Sequence, residues 1–219
     1  MVRRAYRRYY HGLPCNKDAT MSKNWSLFLV VAFVLGFALK SYLDLQGKVE
    51  NEATPPTHSA AMLYGQDEQA VNIFDTEDTR IRVIYFGFTR CPDVCPTSLA
   101  MLSGALNELD DATKAKLRPL FISLDPERDD AKLSAQYAHY FHPMIEGLSS
   151  SLDVTTELAK RYGVIFRKTE LKDSELKYTL DHSSYFYFLQ PDGTLITKVP
   201  HTLTPAPIVE AIKTITQGN

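Results

Sequence analysis

The sequence predicts an α/β domain, enlarged by inserted elements, behind one N-terminal transmembrane helix. Three observations carry that expectation. Apolar β-branched and aromatic runs alternate with segments of helical period between Ile81 and Phe141. A turn signal, Gln190-Pro191-Asp192-Gly193, separates two further strand-like runs. One apolar stretch near residue 30 is followed by a polar, proline-containing tether. With 219 residues, 44% of them hydrophobic, the chain can bury one good core once anchor and tether are set aside.

The elements follow in order. Residues 1–24 form a basic leader carrying Arg3, Arg4, Arg7, Arg8, Lys17 and Lys23, with Met21 as an alternative start. Residues 25–45 run from Trp25 through Leu39 to Leu45 with only Lys40 and Asp44 charged, just enough for the roughly 20 residues a bilayer needs. Trp25 and Tyr42 suit the interfaces, Lys40 can snorkel, and the preceding basic residues put the N-terminus in the cytoplasm. A cleaved signal peptide is the alternative; Ala38-Leu39-Lys40 is a poor cleavage site for it. Residues 46–62, with Pro55-Pro56 among polar side chains, read as a flexible tether, and residues 63–219 as the folded domain.

Ile81 to Phe88 reads as a buried strand. Thr97 to Leu109 reads as a helix, with Leu99, Leu102, Leu106 and Leu109 on one face. Between them lie Cys91 and Cys95, each followed by a proline. A residue before proline is pushed out of the α region and proline suits the first helical position, so Cys95 is expected at a helix N-cap. There the positive end of the helix dipole, with Arg90 nearby, favours thiolate. Pro119 to Leu124 gives a second strand, ended by Asp125-Pro126, and Ala131 to Phe141 a helix carrying Leu133, Tyr137 and Phe141. These make a βαβα unit with a parallel sheet. Asp153 to Tyr162 is a helix with Asp153 as N-cap and Gly163 as C-cap. Val164 to Arg167 starts a short strand, and the alternating charges of Lys168 to Lys177 read as a solvated hairpin or loop. Ser184 to Leu189 and Thr194 to Val199 form a hairpin, and Pro205 to Ile215 closes with a helix. This order is that of a thioredoxin-like domain with additions at its N-terminus and before the final hairpin.

A formal net charge of -2 gives no basic footprint, so nucleic acid drops out as a partner. Three cysteines are too few for a disulfide scaffold, and Cys15 lies across the apolar segment from the other two. Thiolates favour Cu(I) or Zn, and imidazole adds to either. Among six histidines, His11 lies in the leader, His58 in the tether, and His201 after a strand end. His139 and His142 stand three apart with no third ligand close in sequence. His182 immediately precedes the strand Tyr185 to Leu189, whose entry lies beside the cysteine loop in a thioredoxin-like sheet. Oxidoreductases of this fold usually place a cis-proline there, yet no proline occurs between Arg167 and Pro191. Two thiolates and one nitrogen would make a three-coordinate set suited to Cu(I), open on one side; the plainer reading is a buried, hydrogen-bonded histidine.

Phe86-Gly87-Phe88-Thr89-Arg90-Cys91-Pro92-Asp93-Val94-Cys95-Pro96, then Phe121-Ile122-Ser123-Leu124-Asp125-Pro126-Glu127-Arg128-Asp129, then Asp181-His182-Ser183 with Gln190-Pro191-Asp192-Gly193, resemble the three blocks of the SCO/SenC copper chaperones. The similarity covers roughly residues 65–215 and includes the membrane anchor. It implies Cu(I) and Cu(II) binding by Cys91, Cys95 and His182, and a role in assembling the binuclear copper centre of cytochrome c oxidase subunit II. An upstream copper donor and a thiol reductant are the further partners expected. Asp125 and Asp129 match an acidic pair the family keeps near the site; with Asp93 they are read as supporting the ligands or facing a partner, ordinary cap and turn duties being the alternative. Two functions follow. One is a metallochaperone with no turnover; the other is a thiol-disulfide oxidoreductase using Cys91 and Cys95 as a redox-active disulfide, which their short separation permits. A peroxidase and a copper or redox sensor are weaker readings. The expected location is a bacterial inner membrane, single-pass, with the C-terminal domain in the periplasm.

Overall fold

The computed structural model describes residues 29–37, 39–40 and 62–217. The chain divides into two units, Met1–Thr57 and His58–Asn219. In the first, the described residues are helical and leave Leu29, Val30, Val31, Phe33, Val34, Leu35, Phe37 and Leu39 exposed. Among the described residues no helix is long and apolar enough to cross a membrane. The expected leader and most of the tether lie outside the described residues, as does part of the expected anchor.

In the second unit the strands are β1 (Met62–Tyr64), β2 (Ala70–Asn72), β3 (Ile81–Gly87), β4 (Leu117–Ser123), β5 (Glu146–Leu148), β6 (Phe166–Glu170), β7 (Tyr178–His182), β8 (Tyr185–Leu189) and β9 (Leu195–Pro200). The helices are α1 (Val94–Glu108), α2 (Asp111–Lys114), α3 (Ala131–Phe141), α4 (Leu152–Arg161) and α5 (Ala206–Gln217). The central sheet has the order β5-β4-β3-β8-β9. β3 runs parallel to β4, with Ile81 opposite Leu117 and Gly87 opposite Ser123, and β4 runs parallel to β5. β8 joins the other edge of β3 antiparallel, and β9 follows it antiparallel.

Every residue of β3 is buried, so its apolar run is continuous rather than alternating, as a strand covered on both faces requires. Phe86, Phe121, Phe186 and Phe188 are each at most 1% exposed and centre the core; each contributes about 1.5–3 kcal/mol by leaving water. Arg82 is the exception in the run. Its guanidinium donates to the carbonyls of Ile73 at 2.9 Å, Asp75 at 2.6 Å and Asp78 at 2.6 Å, and to that of Arg80, so it organises the loop entering β3.

α1 packs against α3 and α5. Asp130 caps α3 by accepting from the Leu133 N–H at 2.7 Å. Ser151, rather than Asp153, caps α4; its hydroxyl accepts from the Val154 N–H at 3.4 Å. Gly163 ends that helix at φ +67, the left-handed geometry expected of its C-cap. The charged stretch after Arg167 is part of a hairpin, as expected; the short strand expected from Val164 begins at Phe166 and runs to Glu170, and β1, β2, β5, β7 and α2 are additions to the predicted order.

Candidate metal centre

The cysteine loop leaves β3 at Gly87. A Cβ built there would meet Tyr85 Cε1 at 3.0 Å, Cys95 Sγ at 3.1 Å and Phe121 Cε2 at 3.1 Å. Glycine therefore lets the Cys95 sulfur sit close against the sheet, where any side chain would press on all three atoms. Cys95 is fully buried, Cys91 is half-buried, and both are free thiols.

α1 begins at Val94, so Asp93 takes the N-cap position and Cys95 lies within the first turn, not at the cap as expected. Pro96 is tolerated there because first-turn N–H groups have no partner inside the helix. This shift moves the thiolate from one sulfur to the other. The Cys95 N–H donates to Cys91 Sγ at 3.4 Å, so the exposed amides of the helix start face Cys91. A hydrogen bond from the Cys95 thiol is the main force pulling the Cys91 thiol down to about 4; His182 and the amides of Asp93 and Cys95 add to it, against the cost of burial. Donating to that thiolate, together with burial, pushes the Cys95 thiol up. Asp93 itself is exposed and makes no side-chain cap.

His182 ends β7, opposite Phe166. Its Nε2 lies 3.3 Å from Cys95 Sγ, and its Nδ1 lies 3.1 Å from the Ser183 carbonyl oxygen. A carbonyl only accepts, so Nδ1 carries a proton and donates to it, which turns Nε2 toward the sulfurs. The ring sits edge-on to Tyr85 and Phe88, at 6.3 and 5.9 Å between centroids. At 3.3 Å apart, Nε2 and the Cys95 sulfur are close enough that one soft metal ion could be held by both. Among the described residues no group of three or more His, Cys, Asp or Glu side chains forms a ready metal cage. Cys95 and His182 meet directly and Cys91 joins them from the loop, an open cluster rather than a closed cage.

The acidic pair supports this cluster from two sides. Asp129 is fully buried. Its carboxylate accepts from the Thr89 N–H at 2.8 Å, the Thr89 hydroxyl at 2.5 Å and the Ser123 hydroxyl at 2.8 Å, which ties the cysteine loop to the end of β4. Asp125, 2% exposed, accepts from Arg128 Nε at 2.5 Å and from the Tyr178 hydroxyl at 2.7 Å, which ties the same turn to β7. Thr89, Arg128 and Tyr178 are contributors that the linear sequence did not disclose; their partners stand 3 to 53 residues away. The other described histidines stand apart from the cluster. His201 Nδ1 meets the Ser98 hydroxyl at 2.8 Å, and His142 Nδ1 accepts from the Met144 N–H at 3.1 Å. His139 is exposed.

A thioredoxin-like sheet whose Cys-x-x-x-Cys loop lies under an imidazole defines a thiol protein equipped to hold a soft metal or to exchange a disulfide. The SCO1/SenC family model matches residues 49–217, and the chain belongs to that family. The family includes cytochrome c oxidase assembly proteins. The chain is 39% identical over 117 residues to Protein SCO2, mitochondrial, of Saccharomyces cerevisiae, a match covering 53% of this chain and 39% of that protein. It thus spans well under half the length of this yeast relative. The SCO2-like protein of Rickettsia felis is 31% identical over 148 residues, covering 67% of this chain and 72% of that one. The structure of Arabidopsis thaliana ScoI with copper bound matches with a TM-score of 0.63 at 31% identity, covering 71% of this chain and 96% of that chain.

Proposed function

We propose that this chain is a membrane-anchored copper chaperone that carries the metal on Cys91, Cys95 and His182 and delivers it during assembly of the copper centre of cytochrome c oxidase. The observation that carries this reading is the 3.3 Å approach of His182 Nε2 to Cys95 Sγ across 87 residues of sequence. Two sulfurs and one nitrogen are soft to intermediate donors, which suits Cu(I), and an open side allows an acceptor's ligands to enter one at a time as the donor's leave. Copper is cargo here, so the site has to release it as well as bind it. The acceptor is subunit II of the oxidase or another copper protein; a copper donor and a thiol reductant act upstream.

The exposed apolar helical residues between 29 and 40 support an anchor over residues 25–45, with residues 46–62 as its tether. The domain then faces the periplasm from the inner membrane. An aqueous compartment beside the membrane suits transfer to an acceptor embedded in it.

Anaerobic titration of the full chain with Cu(I) and Cu(II), followed by X-ray absorption, tests the ligand set. Two sulfur neighbours and one nitrogen are expected. His182→Ala should lose the nitrogen and weaken Cu(II) binding by at least about 100-fold, since losing a partner that merely orients a ligand already costs about 10- to 100-fold, while leaving disulfide exchange largely intact. Unchanged copper affinity would remove His182 from the site.

The polarised sulfur pair favours a second reading, reduction of the acceptor's cysteines before metal enters. The Cys91 thiolate attacks one sulfur of the acceptor's disulfide, and the other leaves as a thiolate. Cys95 then gives up its proton and attacks Cys91, which releases the second acceptor sulfur and leaves a Cys91–Cys95 disulfide. An external thiol restores the pair.

A further inference from the structure

His182 reaches the cysteines on an arm. β6 and β7 pair only with each other, in a two-stranded sheet separate from the central one. Of their residues only Leu180 is buried. A cavity of about 300 Å³ lies between arm and body, lined by Phe166 and Leu180 from the arm and by Leu124, Pro126 and Leu152 from the body. Leu180 contributes about 1.5–3 kcal/mol, and Phe166 and Tyr178 pack against the core only partly buried, so apolar contact alone holds the hairpin lightly beside a cavity.

Polar and cation–π contacts at the far end of β7 supply the rest. Arg128 lies flat over the Tyr178 ring, its Cζ 3.6 Å from the centroid. Its Nη1 donates to the carbonyls of Leu176 and Tyr178, both at 3.0 Å, and its Nε donates to Asp125 at 2.5 Å. The Tyr178 hydroxyl donates to the other Asp125 oxygen at 2.7 Å. Asp125 and Arg128 belong to the turn after β4, the same turn whose Asp129 holds the cysteine loop. Tyr178 and His182 open and close one strand, about 13 Å apart at a rise of about 3.3 Å per residue. A paired strand is stiff over that length, so whatever tilts at Tyr178 moves the imidazole.

We propose that Asp125, Arg128 and Tyr178 form a latch that positions His182 over Cys91 and Cys95 and thereby sets how long copper stays bound. The proposal rests on the reading of His182 as a ligand. With the latch closed, the imidazole is held at the sulfurs; with it open, the arm swings on its cavity and the metal is left on two sulfurs, ready for an acceptor.

The test loads the full chain with Cu(I) and follows loss of copper to bathocuproine disulfonate, in parallel with the nitrogen count from X-ray absorption. Arg128→Met and Tyr178→Phe are each made with His182 present and with His182→Ala, and a cooperative thermal transition confirms folding. Arg128→Met should speed release by about 10- to 100-fold, the usual cost of losing a partner that orients a metal ligand. Tyr178→Phe keeps the ring and the stacking, so a rise of about 3- to 10-fold is expected from the lost hydrogen bond; it carries the test if Arg128→Met does not fold. In the His182→Ala background neither change should add more than about twofold, because the latch acts only through the imidazole. Equal acceleration with and without His182, or none in either variant, overturns the latch. If His182→Ala alone retains copper as the unaltered chain does, the ligand assignment falls, and the latch with it.

Discussion

The two halves of the site are built differently. The sulfur half grows out of the core: β3 is buried throughout, Cys95 lies against Gly87, and Asp129 gathers three hydrogen bonds that fix the loop. The nitrogen half stands on a two-stranded hairpin over a cavity, joined to the body through the buried Leu180, the partly buried Phe166 and Tyr178, the His182 ring against Tyr85 and Phe88, and a small polar latch. The proposed chaperone function needs both properties. Sulfurs fixed by the core would keep the metal captured, and an imidazole on a lightly held arm would make release adjustable without unfolding anything. Damage to the first half should therefore strike stability and both activities together, whereas damage to the second should strike copper alone.

Asp129→Ala is the most severe way to break that contrast. It strands the buried Ser123 hydroxyl and the half-buried Thr89 amide and hydroxyl, and the loss of charge-assisted hydrogen bonds there is about 3 kcal/mol. Urea unfolding should register that loss, with copper binding and disulfide exchange falling in step. A variant as stable as the unaltered chain, or one that loses copper but keeps exchange, would show that the loop does not depend on this carboxylate.

Much of this division was legible in the sequence. The apolar run before Cys91, the leucine spacing after Cys95 and the turn signal at Gln190 to Gly193 are local patterns, and each became the expected strand, helix or hairpin. His182 was singled out by its place before the strand that begins at Tyr185, and it is the last residue of β7, a strand the sequence pattern did not disclose. What escaped was decided by packing. Which sulfur is the thiolate depends on where the helix begins and on Cys95 sinking beside Gly87, neither of which proline spacing fixes. The roles of Asp125 and Asp129 depend on partners at Tyr178 and Thr89, 53 and 40 residues distant. Three-residue strands such as β1, β2 and β5 are too short to show a period.

The polarity of the sulfur pair gives a milder test. Since the Cys91 thiol is held down to about 4, its thiolate predominates above that pH, and alkylation by iodoacetamide should be flat from pH 7 to about 5 and fall only as the pH drops through about 4. An ordinary thiol would lose about tenfold per pH unit across the whole range. Cys95, buried and pushed up, should remain unlabelled in the folded chain. The Cys95 thiol is the larger cause of the shift and His182 a lesser one, so His182→Ala should leave the inflection well below the usual thiol value. An inflection that returns to the ordinary range in that variant would mean that the arm, and not the loop, governs the sulfurs.

The smallest effect belongs to the outer edge of the latch. Lys168 Nζ meets Glu127 Oε2 at 2.5 Å and lies 4.4 Å from the Tyr178 ring centroid, so by distance alone it rivals Arg128. Exposure separates the two. The side chains of Lys168 and Glu127 are 46% and 52% exposed, whereas those of Arg128 and Asp125 are 12% and 1%. Water and salt screen the outer pair, and holding two long side chains together offsets most of what attraction remains. Glu127→Gln should therefore alter the rate of copper loss to bathocuproine disulfonate by less than about twofold at physiological salt. An acceleration matching that of Arg128→Met would mean that the arm is held by surface charge. Copper release would then follow ionic strength rather than the buried Asp125 pair, and the line between core-held sulfurs and a latch-held imidazole would have to be redrawn.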